Sequence, residues 1–221
     1  MKKQLTAVAV ALMFVASACA SDDDGDDAPQ TQSGPTTTAA PTRGGTLVVA
    51  ISSDPGSLNP AVTSNGGVHT ASEMMFNGLV GWGADGKLVP ELAESWTIEG
   101  GGTSYRFNLR QNVKWHDGKP FTADDCIFNW EYASDPATAA VTIGSYKDIT
   151  VDKIDSHTIR VNFKKPTPYW ADAFVGTVGM MIPKHLFEPY KGAKSREAPK
   201  NLKPVGTGCY MFSEFRPGDH L

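Results

Sequence analysis

The chain has 221 residues, 40% of them apolar and 20% charged, which excludes a wholly disordered polymer and leaves material for a sizeable core. Its 20 Lys and Arg stand against 24 Asp and Glu. Setting aside Lys2, Lys3 and the aspartates at 22, 23, 24, 26 and 27 leaves 18 basic and 19 acidic groups from Arg43 onward, a balance without the clustered basic face that nucleic-acid binding needs.

Lys2-Lys3, the apolar run Leu5 to Val15 and the small residues Ala16-Ser17-Ala18 read as a secretory signal over residues 1–18. A run of about 11 residues is too short for a hydrocarbon core that takes around 20 helical residues. Small residues before the early Cys19 resemble the lipobox of bacterial lipoproteins, in which that cysteine is lipidated. Ala16 stands where a leucine is usual, and an ordinary cut after Ala18 or Ala20 stays open. Residues 19–43 hold no large apolar side chain beyond the cysteine and read as a disordered tether, spanning roughly 27 Å as a coil and about 80 Å stretched. Such a tether would let an extracytoplasmic body reach a membrane partner.

Thr46 to Ile51 is a continuous β-rich run, the pattern of a strand buried on both faces of a parallel sheet. The polar turn after it, Ser53, Asp54, Pro55, Gly56 and Ser57, lies where open α/β sheets place ligands, and these five residues are the candidate binding residues. Val68 to Phe76 predicts a short amphipathic helix stopped by Asn77-Gly78. Three hairpins follow: Leu79–Trp82 with Lys87–Val89, Trp96–Ile98 with Ser104–Arg110, and Val151–Ile154 with Thr158–Phe163. Between the second and third, Thr122-Ala123-Asp124-Asp125 reads as a capping box opening a helix, with Cys126, Ile127 and Trp130 on one core stripe. A helix is expected from Pro168 to Phe174, and Pro183 suits the first position of another. Pro189 to Pro204 reads as a polar loop. Cys209 to Phe215 predicts a last strand and Arg216 to Asp219 a turn whose return strand begins near Leu221, so the chain reads as part of something longer.

Little here suggests chemistry. Cys126 and Cys209 read as buried free thiols, with a disulfide the alternative an oxidising compartment permits. The five histidines are far apart and show no metal-ligand spacing, so no metal or cofactor is expected. His116-Asp117 is the one His–carboxylate neighbour pair, but adjacent residues on an Asp-Gly turn point apart and no Gly-x-Ser-x-Gly elbow exists. His116 therefore reads as a turn histidine bonded to its loop, and no catalytic residue is assigned. Gly206-Thr207-Gly208 reads as a bend where two backbones approach closely.

The ordered blocks Ser57-Leu58-Asn59-Pro60, Phe76-Asn77-Gly78-Leu79, Leu92-Ala93-Glu94-Ser95-Trp96, Val113-Lys114-Trp115-His116-Asp117-Gly118, Phe121 to Asp125 and Gly206-Thr207-Gly208 resemble solute-binding protein family 5. These are the dipeptide-, oligopeptide- and nickel-binding lipoproteins of ATP-binding-cassette importers. Cys126 and Cys209 depart from the usual valine and proline. The resemblance implies an α/β fold, a periplasmic-binding-protein type II lobe with an inserted antiparallel-rich subdomain, and a second lobe missing from this chain. The expected division is 44–75 as the first segment of lobe I, 76–165 as the insertion and 166–221 as an incomplete return to lobe I. It also implies capture of peptides by their backbone and termini, membrane permease subunits as partners and no catalysis. Another solute in the same fold, such as a nickel chelate, an opine-like compound or a sugar, is the alternative, and a secreted hydrolase a more distant one.

Overall fold

The computed structural model describes residues 44–51 and 53–221. The expected signal, the expected tether and Cys19 lie outside them. Residues 48–221 form one compact unit, to which every element below belongs.

Helix α1 (Gly66–Met75) starts at Asn65, whose side-chain oxygen accepts from the N–H groups of Gly67 and Val68, two donors that a first helical turn leaves unpaired. Strands β1 (Val80–Trp82) and β2 (Leu88–Pro90) form a small antiparallel hairpin closed at Gly83–Gly86. Strands β3 (Ala93–Glu99), β4 (Ser104–Leu109), β5 (Ile149–Asp155) and β6 (Thr158–Phe163) make one sheet in the order β3-β4-β6-β5, antiparallel at every pairing. The period-2 pattern explains its two faces: Tyr105, Phe107 and Leu109 turn inward with Val161, Ile159 and Val151, while Arg106, Asn108, Arg160 and Asn162 turn out.

Over the inner face lie α2 (Ala123–Ser134) and an aromatic cluster. Tyr105 stacks on Trp170 at 4.5 Å between ring centroids, and Phe107 meets both Trp170 and Phe174. Fully burying a side chain such as Phe107 contributes about 1.5–3 kcal/mol. The capping box is present as expected: Thr122 Oγ1 accepts from the Asp124 N–H, and Asp125 Oδ2 accepts from the Thr122 N–H at 2.9 Å. Asp125 Oδ1 also accepts from the Lys184 N–H, and the Asn129 amide exchanges two hydrogen bonds with the backbone of Ile182. These buried polar groups fasten the stretch 180–184 to α2. Three one-turn helices complete the body, α3 (Ile143–Tyr146), α4 (Gly176–Gly179) and α5 (Lys184–Phe187).

Several expectations fail. Residues 44–51 form no strand, and Leu47, Val48 and Val49 are 67%, 86% and 43% exposed. A doubly buried strand needs a hydrogen-bonded neighbour on each side, and none of the described strands pairs with this stretch. Cys209–Phe215 is likewise no strand, because its leading amides bond the end of α1 rather than another strand: Gly208 N–H donates to Met75 O and Tyr210 N–H to Met74 O. The turn after it does form, with Arg216 N–H donating to His220 O at 2.8 Å. Pro168–Phe174 supplies only a 3-10 turn at Trp170–Ala173, 3-10 turns run through 188–201 where a loop was expected, and Pro183 sits one residue before α5. Cys126 and Cys209 are both free, but Cys209 is exposed, in contrast to the buried thiol expected. Burial pushes the Cys126 thiol well above its ordinary range, with the Asp125 charge adding to the effect.

Candidate functional site

A groove of about 220 Å³ opens where three distant stretches meet: Pro60, Ser64 and His69 on one wall, Val141, Thr142, Gly144 and Ser145 on the second, Thr177 and Val178 on the third. Each wall is fixed from behind. Asn59, itself buried, donates through Nδ2 to Tyr132 Oη and Asn201 Oδ1 and accepts the Ala61 N–H on Oδ1, which sets the 3-10 turn at Pro60–Val62. The Val141 N–H donates to Ala61 O at 2.9 Å and joins the second wall to the first.

Behind Val141 the chain takes a left-handed conformation at Ala139, with φ 52°, which an alanine adopts at a cost of about 1 kcal/mol or more. Its surroundings hold it there. Thr138, fully buried, accepts the Gly192 N–H on Oγ1 and the Ser195 hydroxyl on its carbonyl. The third wall is tied to the second by the Tyr146 hydroxyl, which donates toward the carbonyls of Ala173 and Val178. Burial pushes that phenol well above its ordinary range, so it stays a neutral donor.

Chemically the groove is neutral. Ser64, Thr142, Ser145 and Thr177 supply hydroxyls, Pro60, Val141 and Val178 supply apolar surface, and no Asp, Glu, Lys or Arg lines it. His69 Nε2 lies 3.1 Å from Thr63 O, so it carries a hydrogen, and Nδ1 has no protein partner among the described residues.

None of the five residues singled out from sequence lines this groove. Ser53 Oγ accepts from Asn65 Nδ2 at 3.0 Å, which ties that loop to the start of α1 beside Ser64. Asp54 Oδ2 accepts the Gly218 N–H at 2.6 Å, Pro55 is buried, Gly56 is exposed, and Ser57 Oγ accepts the Asn59 N–H at 3.2 Å. The lining residues escaped sequence reasoning because they come from three separate stretches with no common spacing. The one local signal was Asn65 before Gly66-Gly67, a helix start that faces the groove.

His116 and Asp117 point apart as expected from a tight turn. His116 bonds the Gly206–Gly208 backbone, and Asp117 Oδ2 meets His185 Nε2 at 2.7 Å. Burial pushes the Asp117 carboxyl up, but hydrogen bonds from His185 and the Lys119 N–H bring it below the usual range. The Ser–His contact present, Ser156 Oγ to His157 Nδ1 at 3.0 Å, joins exposed neighbours on the β5–β6 turn. Among the described residues no group of three metal-ligating side chains converges, and no helix is long and apolar enough to cross a membrane.

Residues 87–221 match the family of bacterial extracellular solute-binding proteins, family 5 Middle. Di/tripeptide-binding protein 2 of Pseudomonas aeruginosa is 30% identical over 195 residues, 77% of this chain and 36% of its own length. Among solved structures, NikZ from Campylobacter jejuni, in complex with Ni(L-His), has a TM-score of 0.65 at 31% identity, covering 74% of this chain and 32% of that one. The ABC transporter substrate binding protein CtaP from Listeria monocytogenes reaches a TM-score of 0.70 at 30% identity, covering 80% and 36%. The chain spans about a third of the length of the relatives it matches.

Proposed function

Since the chain belongs to family 5 of the bacterial extracellular solute-binding proteins, we propose that it is the solute-capturing component of an ATP-binding-cassette importer and that its solute is a short peptide. The observation that carries the peptide reading is the neutrality of the groove: four hydroxyls and three apolar side chains suit the uncharged amide middle of a peptide, whose termini would pair elsewhere. Buried charges need partners, and this wall offers none. The exposed Val141 and the half-buried Val178 give apolar contact, while Ser64, Thr142, Ser145 and Thr177 both donate and accept, as a run of amides requires. In this reading the loop Ser53–Ser57 approaches the solute from the rim next to Asn65.

Capture needs no reacting group. The solute acts by favouring a closed arrangement that the membrane permease engages, a shift of population rather than a chemical step. Its relatives are binding proteins, in keeping with a receptor that releases its cargo unaltered. Lipidation at Cys19 would hold the protein at the outer face of a membrane within reach of that permease.

A nickel chelate is the second reading, favoured by NikZ with Ni(L-His) and by His69, whose Nδ1 is uncommitted at the groove. Incubation of the purified protein with a pool of di- to octapeptides, followed by mass spectrometry of bound and free fractions, decides. Intact peptides in the bound fraction are the expected result. An empty bound fraction together with nickel retention moves the assignment to the chelate, and cleavage products overturn the receptor reading. Cys19→Ala is expected to release the protein from membranes, and retention would contradict the anchor.

A further inference from the structure

His116 stands where stretches 90 residues apart meet. Its N–H donates to Gly206 O at 2.9 Å, the Gly206 N–H donates to ring Nδ1 at 3.2 Å, and Nε2 lies 2.9 Å from Gly208 O. A carbonyl only accepts, so Nε2 bears the hydrogen; an amide N–H only donates, so Nδ1 bears the lone pair. The two partners together select one form of the ring, the neutral Nε2–H tautomer.

The backbone held this way is pressed against the end of α1. A Cβ built on Gly206 would lie 1.8 Å from Met75 O, and one on Gly208 would lie 2.6 Å from Met74 O. Gly208 N–H donates to Met75 O at 2.8 Å and Tyr210 N–H to Met74 O at 3.1 Å, while Thr207 Oγ1 meets Asn77 Oδ1 at 3.0 Å. These amides satisfy carbonyls in the last turn of α1 that no intrahelical donor reaches. Asn65 caps the other end of that ten-residue helix, and His69 on it lines the groove.

We infer that His116 is a positioning residue for solute capture, a neutral cross-link that sets the Gly206–Gly208 bend and, through it, the helix that walls the groove. Its effect on solute rests on the receptor reading above; the cross-link itself does not. A second proton on Nδ1 would oppose two donors, Nδ1–H and the Gly206 N–H, so the link holds only while the ring is neutral. The charged groups that share its cavity are Asp117, already paired with His185, and the cations Lys200 and Lys203, which have no ion-pair partner among the described residues. None of them replaces the lost acceptor.

Nitrogen-detected NMR of the His116 ring near neutral pH is expected to show the Nε2–H tautomer; an Nδ1–H tautomer overturns the link. His116→Gln keeps a donor toward Gly208 O, and we expect it to bind a peptide within about threefold of wild type, whereas His116→Phe, which offers neither donor nor acceptor, is weakened about tenfold. A Gln variant as weak as the Phe variant, or a Phe variant with wild-type affinity, overturns the inference. Urea unfolding without peptide separates the failures: a midpoint lowered in the Phe variant but not in the Gln variant, with no peptide bound, supports the cross-link and sinks the peptide reading.

Discussion

The four-stranded sheet with α2 and the two stretches that flank it, 44–62 and 204–221, are built on opposite terms. In the sheet, β3 turns directly into β4 and β5 into β6, the core face is set by alternation, and the large side chains Phe107 and Ile159 are fully buried. In the flanks almost nothing is regular. They are held by backbone contacts to partners far along the chain, such as Leu58 N–H to Asn201 O and Gly208 N–H to Met75 O, and while Leu58 and Val62 are buried, Leu47, Val48 and Met211 lie largely exposed. Local pairing thus makes a rigid body, and long-range contacts at a few glycines and asparagines decide how the groove is assembled on it. Stability and function are consequently sensitive to different kinds of substitution.

The largest expected effect is at the glycine bend. Gly206→Ala puts a methyl group into the Met75 carbonyl and should cost more than about 4 kcal/mol, read as a collapse of the urea midpoint. A loss below about 1 kcal/mol would mean that the flank is not seated on α1 as described. Phe107→Ala, in the sheet, should cost about 3 kcal/mol through the cavity left against Trp170 and Phe174. If Phe107→Ala proved the milder by far while leaving binding intact, the contrast between the two regions would sharpen further.

Val141→Asp tests the groove without the core. Val141 is 48% exposed, so stability should move by less than about 0.5 kcal/mol, while peptide affinity should drop about tenfold or more because a carboxylate enters a wall with no counter-charge. Unchanged affinity would place the solute elsewhere.

The smallest effect concerns pH. Burial raises the Asp125 carboxyl above the ordinary aspartate range against the pull of hydrogen bonds from the Thr122 and Lys184 N–H groups. A carboxyl raised on folding contributes stability that is fully present below the ordinary aspartate pKa and is lost as pH climbs through the raised value. Asp125→Asn should flatten that decline in a pH series of urea midpoints; an unaltered slope would show that the group is not desolvated as described. Glu91, raised by burial against the hydrogen bond it accepts from the Gly78 N–H, acts with the same sign.

Sequence reading succeeded where the cause was local. The Thr122–Asp125 box, the three hairpins and the close approach at Gly206-Thr207-Gly208 all follow from a few adjacent residues and a backbone rule. It failed where a pattern had two outcomes. Thr46–Ile51 has the composition of a buried strand, yet composition cannot supply the neighbours a strand needs. Cys209 to Phe215 has the composition of a strand, but its leading amides are taken by the carbonyls of Met74 and Met75. His116 was legible as a loop-bonding histidine, though the loop it bonds lies 90 residues on rather than in its own turn. Beyond the helix start at Asn65 the groove was not legible, since Ser64, Val141 and Thr177 meet only after the Ala61–Val141 and Tyr146–Val178 hydrogen bonds have formed.

Amide hydrogen exchange with and without a saturating peptide tests the receptor reading most directly, because it locates the contact rather than its consequence. Added protection confined to the start of α1 and to residues 141–145 is the predicted result. Protection absent from both, with the peptide demonstrably bound, would contradict the assignment of this groove as the site of capture.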